Sequence, residues 1–382
     1  MAKHINIVRT AGLLLLIMVG LTYLYASFQP RLRFADPAPN EPLQVKRNYP
    51  CYHDKLYLGT SQSDALFFGA SKTHHAVDAD VVENAYEAIT GKALDAFAFD
   101  TPESNPEMAY FLFRDYLTNN PRPQVALFSL TSIGQKPPPI RYMHPLFADL
   151  APPYLYLDVL HSSKLVHHKI FAASDFLQLL VRHLDLSLTR LLLADVRFVV
   201  PRGDNCSAAE KVSGLSRAEA AQFDSFEGLL QAQVNKNRPA IEADDMGSID
   251  SLLDAYHDKR SMTSTLKRLQ RDKTQLEKRH FWHRGINATD RSRDYYRRIV
   301  ALGKAHDVTI GFYYLPNIYS RETHQEEIDQ VAKELGAPVF VLPYDYMRVS
   351  YYHHKDPAHI NPSFKPAYSI WFASIIDRLG KG

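Results

Sequence analysis

Short apolar runs alternate with helix-spaced patterns at both ends of the chain. Ala65-Leu66-Phe67-Phe68 is apolar throughout and stops at Gly69, as a strand buried on both faces does. A helical pattern runs from Asp80 to Ile89, and Gly91 closes it. Leu94–Phe99 predicts a second strand, Pro106–Leu117 a helix, and Val125–Leu130 a third strand. Late in the chain, DRSRDYYRRIVALGKAHD predicts a helix that feeds a strand over Val308–Leu315. A helix over Thr323–Leu335, a strand over Val339–Leu342 and a final helix from about Pro366 to Leu379 follow. Strands alternating with helices point to an α/β fold with a parallel sheet covered on both faces.

Two regions break this rhythm. From Thr10 to Gln29 no residue is charged, and the run is rich in Leu, Ile, Val and Met. Roughly 20 apolar residues span a bilayer, so 10–29 is expected to be a transmembrane anchor. Lys3 and Arg9 precede it, which keeps residues 1–9 cytoplasmic and sends the rest across. A cleaved signal peptide is the rival reading, but Tyr25-Ala26-Ser27-Phe28-Gln29 is a poor cleavage site. Pro37, Pro39, Pro42 and Pro50 then make 30–50 an extended tether. The folded domain is expected over 51–382. Within it, about 131–289 is mostly helical and charged, and reads as a large insertion over or beside the sheet. DFLQLLVRHLDLSLTRLLLADVRFVV is its most apolar part, but charges interrupt it, so it reads as an amphipathic helix.

Composition narrows the classes. With 382 residues, 46% of them hydrophobic, the chain can bury one large core or two modest ones. Lys and Arg total 44 against 42 Asp and Glu, so no basic excess points to nucleic acid. Cys51 and Cys206 are the two cysteines, too few for a cysteine-built metal site. They can pair in an oxidising compartment if their Cα atoms come within reach.

Two segments can carry chemistry. In SDALFFGASKTHHAVD, Ser71 lies just beyond the carboxyl end of a buried strand, where ligands bind in open α/β sheets. Gly69 is expected to supply the freedom of a tight turn, and backbone N–H groups near Ser71 can hold an oxyanion. In KDPAHINPS, Asp356 can cap a short turn, and residues three apart face one side. Asp356 can then orient His359 toward a nucleophile. Read alone, each segment also has a plain structural meaning: a capping serine, and a surface histidine beside an aspartate. His353 and His354 raise a metal alternative that no spacing demands.

DALFFGASKTHHAVD and DPAHIN, in this order around an α/β pattern, resemble the SGNH/GDSL hydrolase superfamily. The similarity is to its membrane-anchored branch, which includes the D-alanyl-lipoteichoic acid protein DltD and polysaccharide O-acetylation proteins. It covers the anchor and the sheet core but not the middle insertion. The resemblance implies a flavodoxin-like sheet and a Ser71-His359-Asp356 triad, with no cofactor and no metal. It also implies a periplasmic domain on a single-pass inner-membrane anchor, and an O-acyltransferase, specifically an O-acetyltransferase, acting on an exported polysaccharide. A membrane-bound O-acyltransferase partner would supply the acyl groups. The chain departs from the family pattern in three places. DAFAFDTPESNP lacks the usual oxyanion Gly, SLTSIG lacks the usual Asn, and Phe364 stands near where a Gly commonly follows the last block. Asn105 is a candidate substitute donor beside Gly69. An envelope-glycan esterase with the same triad and a non-catalytic scaffold of an export complex stay open as alternatives.

Overall fold

The computed structural model describes residues 62–100, 104, 106–130, 214–236, 290–315, 324–342, 360 and 364–381, with 13, 17, 20, 51, 52, 55 and 56. The chain divides into two compact units, Ser61–Lys136 with Glu210–Gly382, and Met1–Thr60 with Pro137–Ala209.

The first of these holds a five-stranded parallel sheet. Its strands are β1 (Ala65–Gly69), β2 (Ala96–Asp100), β3 (Val125–Ser129), β4 (Thr309–Tyr314) and β5 (Val339–Val341). The order is β2-β1-β3-β4-β5, the order that flavodoxin-like doubly wound sheets use. In the register of the sheet, Ala65 lies opposite both Ala96 and Val125. All five residues of β1 are buried, as expected for a central strand covered on both faces.

Helices α1 (Ser71–Ala76) and α2 (Ala79–Thr90) follow β1, and α3 (Pro106–Asn119) follows β2. Then come α4 (Arg217–Ala220), α5 (Phe226–Lys236), α6 (Asp290–Ala305), α7 (Gln325–Leu335) and α8 (Lys365–Gly380). Asp78 caps α2 by accepting from the Val81 N–H, and Gly91 ends it with φ 71°. Gly336 ends α7 in the same way, with φ 75°.

Strand alternation divides the core into two faces. Ala65, Phe67, Val125, Leu127 and Tyr313 pack on the side of α2, α5 and α8. Phe372 of α8 meets Phe67 and Tyr313 edge-on, at 5.3 and 4.8 Å between ring centres. The other face is aromatic and lies under α3 and α6. Phe68 stacks between Phe99 and Phe128, at 5.1 and 4.7 Å, and Phe113 closes on it edge-on. The buried Glu107 of α3 accepts a 2.9 Å hydrogen bond from the hydroxyl of Tyr295 on α6. Helices α4 and α5 fall inside the stretch expected as an insertion. Ala220, Leu229, Leu230 and Val234 nevertheless belong to the core of the α8 face, so this part of 131–289 completes a layer of the sheet domain.

Of the second unit, Leu13, Ile17 and Gly20 are helical. Leu13 and Ile17 are 60% and 48% exposed. Among the described residues no helix is long and apolar enough to cross a membrane. The rest of the expected anchor, 10–29, and all of the tether, 30–50, lie outside them, so the transmembrane helix has no support there. Cys51, Tyr52 and Leu56 are buried, and Cys51 is disulfide-bonded. Cys206, the other cysteine of the sequence, lies outside the described residues.

Candidate functional site

The carboxyl edge of the sheet gathers the chemistry. The chain leaves β1 at Gly69, passes Ala70 and enters α1 at Ser71. Ser71 therefore sits beside the point where the strand order reverses between β1 and β3, where open α/β sheets form a crevice. The N–H groups of Thr73 and His74 both donate to the Ala70 carbonyl, at 2.9 and 3.2 Å, which turns the chain at once into helix.

Three consecutive side chains then pin α1. Lys72 Nζ donates to the carbonyl of Leu315, just past β4, at 3.0 Å. The Thr73 hydroxyl and the Tyr313 hydroxyl of β4 share a 2.8 Å hydrogen bond, and Tyr313 donates to the Phe68 carbonyl at 3.2 Å. His74 Nδ1 lies 2.8 Å from Asp100 Oδ2 at the end of β2. From the far side, Ser369 of α8 accepts from the Asp78 N–H at 2.9 Å, and its Oγ, which donates to the Lys365 carbonyl at 2.8 Å, lies 3.3 Å from the Ala76 carbonyl. Ser71 thus opens a helix tied to β2, β4 and α8.

Gly69 serves this turn differently from the sequence expectation. Its φ is not positive, so the turn draws on no special backbone freedom. A Cβ there would collide with the Thr73 hydroxyl and the Tyr313 hydroxyl. Glycine is needed because α1 and β4 come this close to the end of β1.

Electrostatically the edge is unusual. Lys72 keeps part of its surface, yet its ammonium is packed in, and desolvation lowers its pKa from 10.5 to about 8. No carboxylate pairs with it among the described residues, and its backbone N–H has no backbone acceptor there. Burial raises the Tyr313 phenol well above its ordinary range, so it stays a neutral hydrogen-bonding group. The His74 side chain is 30% exposed and that of Asp100 10%, so the carboxylate is enclosed while the imidazole reaches the surface.

Of the residues singled out in the sequence, Ser71 and Gly69 are placed at this edge. Asp356, His359 and Asn105 lie outside the described residues. Ile360, which follows His359, is buried in the core of the α8 face that also holds Phe67 and Tyr313. His353 and His354 also lie outside, and among the described residues no group of His, Cys, Asp and Glu is placed to hold a metal ion. Sequence reading missed the His74–Asp100 pair and the enclosed Lys72. The one available signal was His74 three residues after Ser71, with Asp100 ending the next strand. Compared with protein-family models and with curated proteins, the chain matches none.

Proposed function

We propose that this chain is a membrane-anchored O-acyltransferase of a bacterial envelope, acting through an acyl-Ser71 intermediate, with an acetyl group and an exported polysaccharide as its substrates. The observation that carries the reading is Ser71 at the turn from the central strand β1 into α1, beside the crevice of a 2-1-3-4-5 sheet. In this reading the sheet is that of an SGNH hydrolase. In the mechanism, His359 takes the Ser71 proton, oriented by Asp356. Ile360, next in sequence to His359, belongs to the buried core that also holds Phe67 and Tyr313, which suits this role. Ser71 Oγ attacks the acyl carbon of the donor, and His359 returns the proton to the leaving group. The Lys72 N–H, which meets no backbone acceptor among the described residues and is next in sequence to the nucleophile, is a candidate oxyanion donor. No metal and no cofactor enters the mechanism.

Two features support the placement outside the cytoplasm. Cys51 is disulfide-bonded, as cysteines of oxidising compartments are. Leu13 and Ile17, one helical turn apart, expose their side chains within an uncharged run, which suits a lipid-facing stripe. The anchor would raise the local concentration of the domain near a membrane-bound acyl-donor partner.

The test uses purified full-length protein in detergent with p-nitrophenyl acetate. A burst of p-nitrophenol and an acetyl adduct on Ser71 in peptide mass maps are expected, and both should vanish in Ser71→Ala. Adduct-free protein, or unchanged polymer acetylation in cells carrying Ser71→Ala, would leave a scaffold role in an export complex. Partition of the acyl group between sugar and water separates a transferase from an esterase.

A further inference from the structure

A histidine held by an enclosed carboxylate through one ring nitrogen has its other nitrogen left to act. His74 fits this description: Nδ1 is engaged by Asp100 at 2.8 Å, and no described residue hydrogen-bonds Nε2. Its ring is partly exposed while the carboxylate is covered. The only ring contact of His74 among the described residues is an edge-on approach by His75, 5.2 Å between centres. Asp100 is fixed by strand pairing opposite Gly69, so the dyad stands at the same sheet edge as the turn that carries Ser71. Ser71 and His74 are three residues apart on α1 and share a face, with Cβ atoms about 5–6 Å apart by helix geometry.

We propose that His74, oriented by Asp100, is the general base for the second half of the reaction, in which an acceptor hydroxyl takes the acyl group from Ser71. The inference rests on the acyl-serine reading and divides its labour: one imidazole loads Ser71 and another unloads it. The acceptor is a neutral alcohol of the kind a sugar carries. Its oxygen bonds to the acyl carbon as its proton passes to His74 Nε2. The tetrahedral intermediate then collapses, the bond from the acyl carbon to Ser71 Oγ breaks, and the proton moves from His74 to Ser71 Oγ. Alcohol and acyl-serine become ester and serine, with no other reactant consumed. His74 is the catalytic residue of this half, and Asp100 is a positioning residue that holds the tautomer with Nε2 free.

The experiment follows the Ser71 acetyl adduct in full-length protein loaded from p-nitrophenyl acetate, with methyl β-D-glucopyranoside as acceptor. In His74→Gln, transfer to the glucoside should fall about 10²- to 10⁴-fold relative to loading of Ser71, the usual share of a general base. The adduct should persist for correspondingly longer. Asp100→Asn should show an intermediate fall in transfer relative to loading, and it carries the test if His74→Gln does not fold. Free imidazole added to His74→Gln should restore part of the transfer, which a purely structural role would not allow. Native transfer rates in both variants, or loss of loading in a folded His74→Gln, would overturn the inference while leaving acyl-Ser71 standing. A native protein that forms no Ser71 adduct would fail the acyl-serine reading itself, and the inference with it.

Discussion

The two ends of the sheet use similar residues to opposite effect. At the amino edge, Asp64 accepts from the Asp95 N–H at 3.0 Å and from the Gln124 side chain at 3.1 Å, and the Asp64 carbonyl takes the Gln124 N–H at 2.8 Å. Arg122 and Asp307 meet at 2.8 Å with most of both side chains in water. These groups tie loops and stay solvated. At the carboxyl edge the polar groups are drawn inward. Lys72 loses its water, the Asp100 carboxylate is covered, and Tyr313 bridges Thr73 to the β1 backbone. Residue type alone does not separate the two edges. Desolvation does, because it makes each charge costly and each hydrogen bond consequential.

Lys72 offers the sharpest break in this contrast. Its pKa is about 8 in the folded protein and 10.5 as its ordinary value, so both states are protonated below pH 8 and the folded state carries the whole penalty there. Between pH 8 and 10.5 the unfolded chain holds a proton that the folded one has released. Stability therefore rises with pH across that window. The penalty is on the order of 3 kcal/mol, from about 1.4 kcal/mol per pKa unit. Lys72→Met keeps the stem and removes the charge. It should raise stability at pH 7 by up to about that amount and flatten the rise, as read by urea unfolding at pH 7 and pH 10. An unchanged profile would place the ammonium in water, like the groups of the amino edge.

Gly69→Ala tests whether the turn depends on close approach. The added Cβ meets the Thr73 and Tyr313 hydroxyls, which are bonded to each other and cannot both give way. A loss of about 1–3 kcal/mol in urea unfolding is expected, the usual cost of overpacking. Loading of Ser71 should fall with it, since the substitution displaces the start of α1. Arg122→Ala, at the other edge, should shift stability by about 0.5 kcal/mol or less, because an exposed ion pair contributes little. A larger loss there would mean that the amino edge is not the solvated tie described above.

Most of the described elements were legible in the pattern of apolar positions. Runs such as Val125–Leu130 and stops such as Gly91 act within a few residues of themselves, so local sequence fixes them to within a residue or two. The expectation of Asp80–Ile89 differs from the observed Ala79–Thr90 only at its ends, where the Asp78 cap and the Gly91 turn set the limits. The short α1 was not foreseen, because SKTHHA has no apolar stripe to announce a helix. Its helical form is held by ties to distant strands.

The sequence by itself determined the alternation of strands and helices, the buried character of β1, and Ser71 as the residue just past it. Each depends on neighbours in the chain. Only the tertiary structure decided the strand order, the inclusion of residues 217–236 in the core, and the partners at the carboxyl edge. His74 finds Asp100 across 26 residues, Thr73 finds Tyr313 across 240, and Lys72 finds Leu315 across 243. Spacing along the chain carries no record of such pairings. They arise when parallel strands are laid side by side and their carboxyl ends brought to one edge, and the burial that lowers the Lys72 pKa arises at the same step.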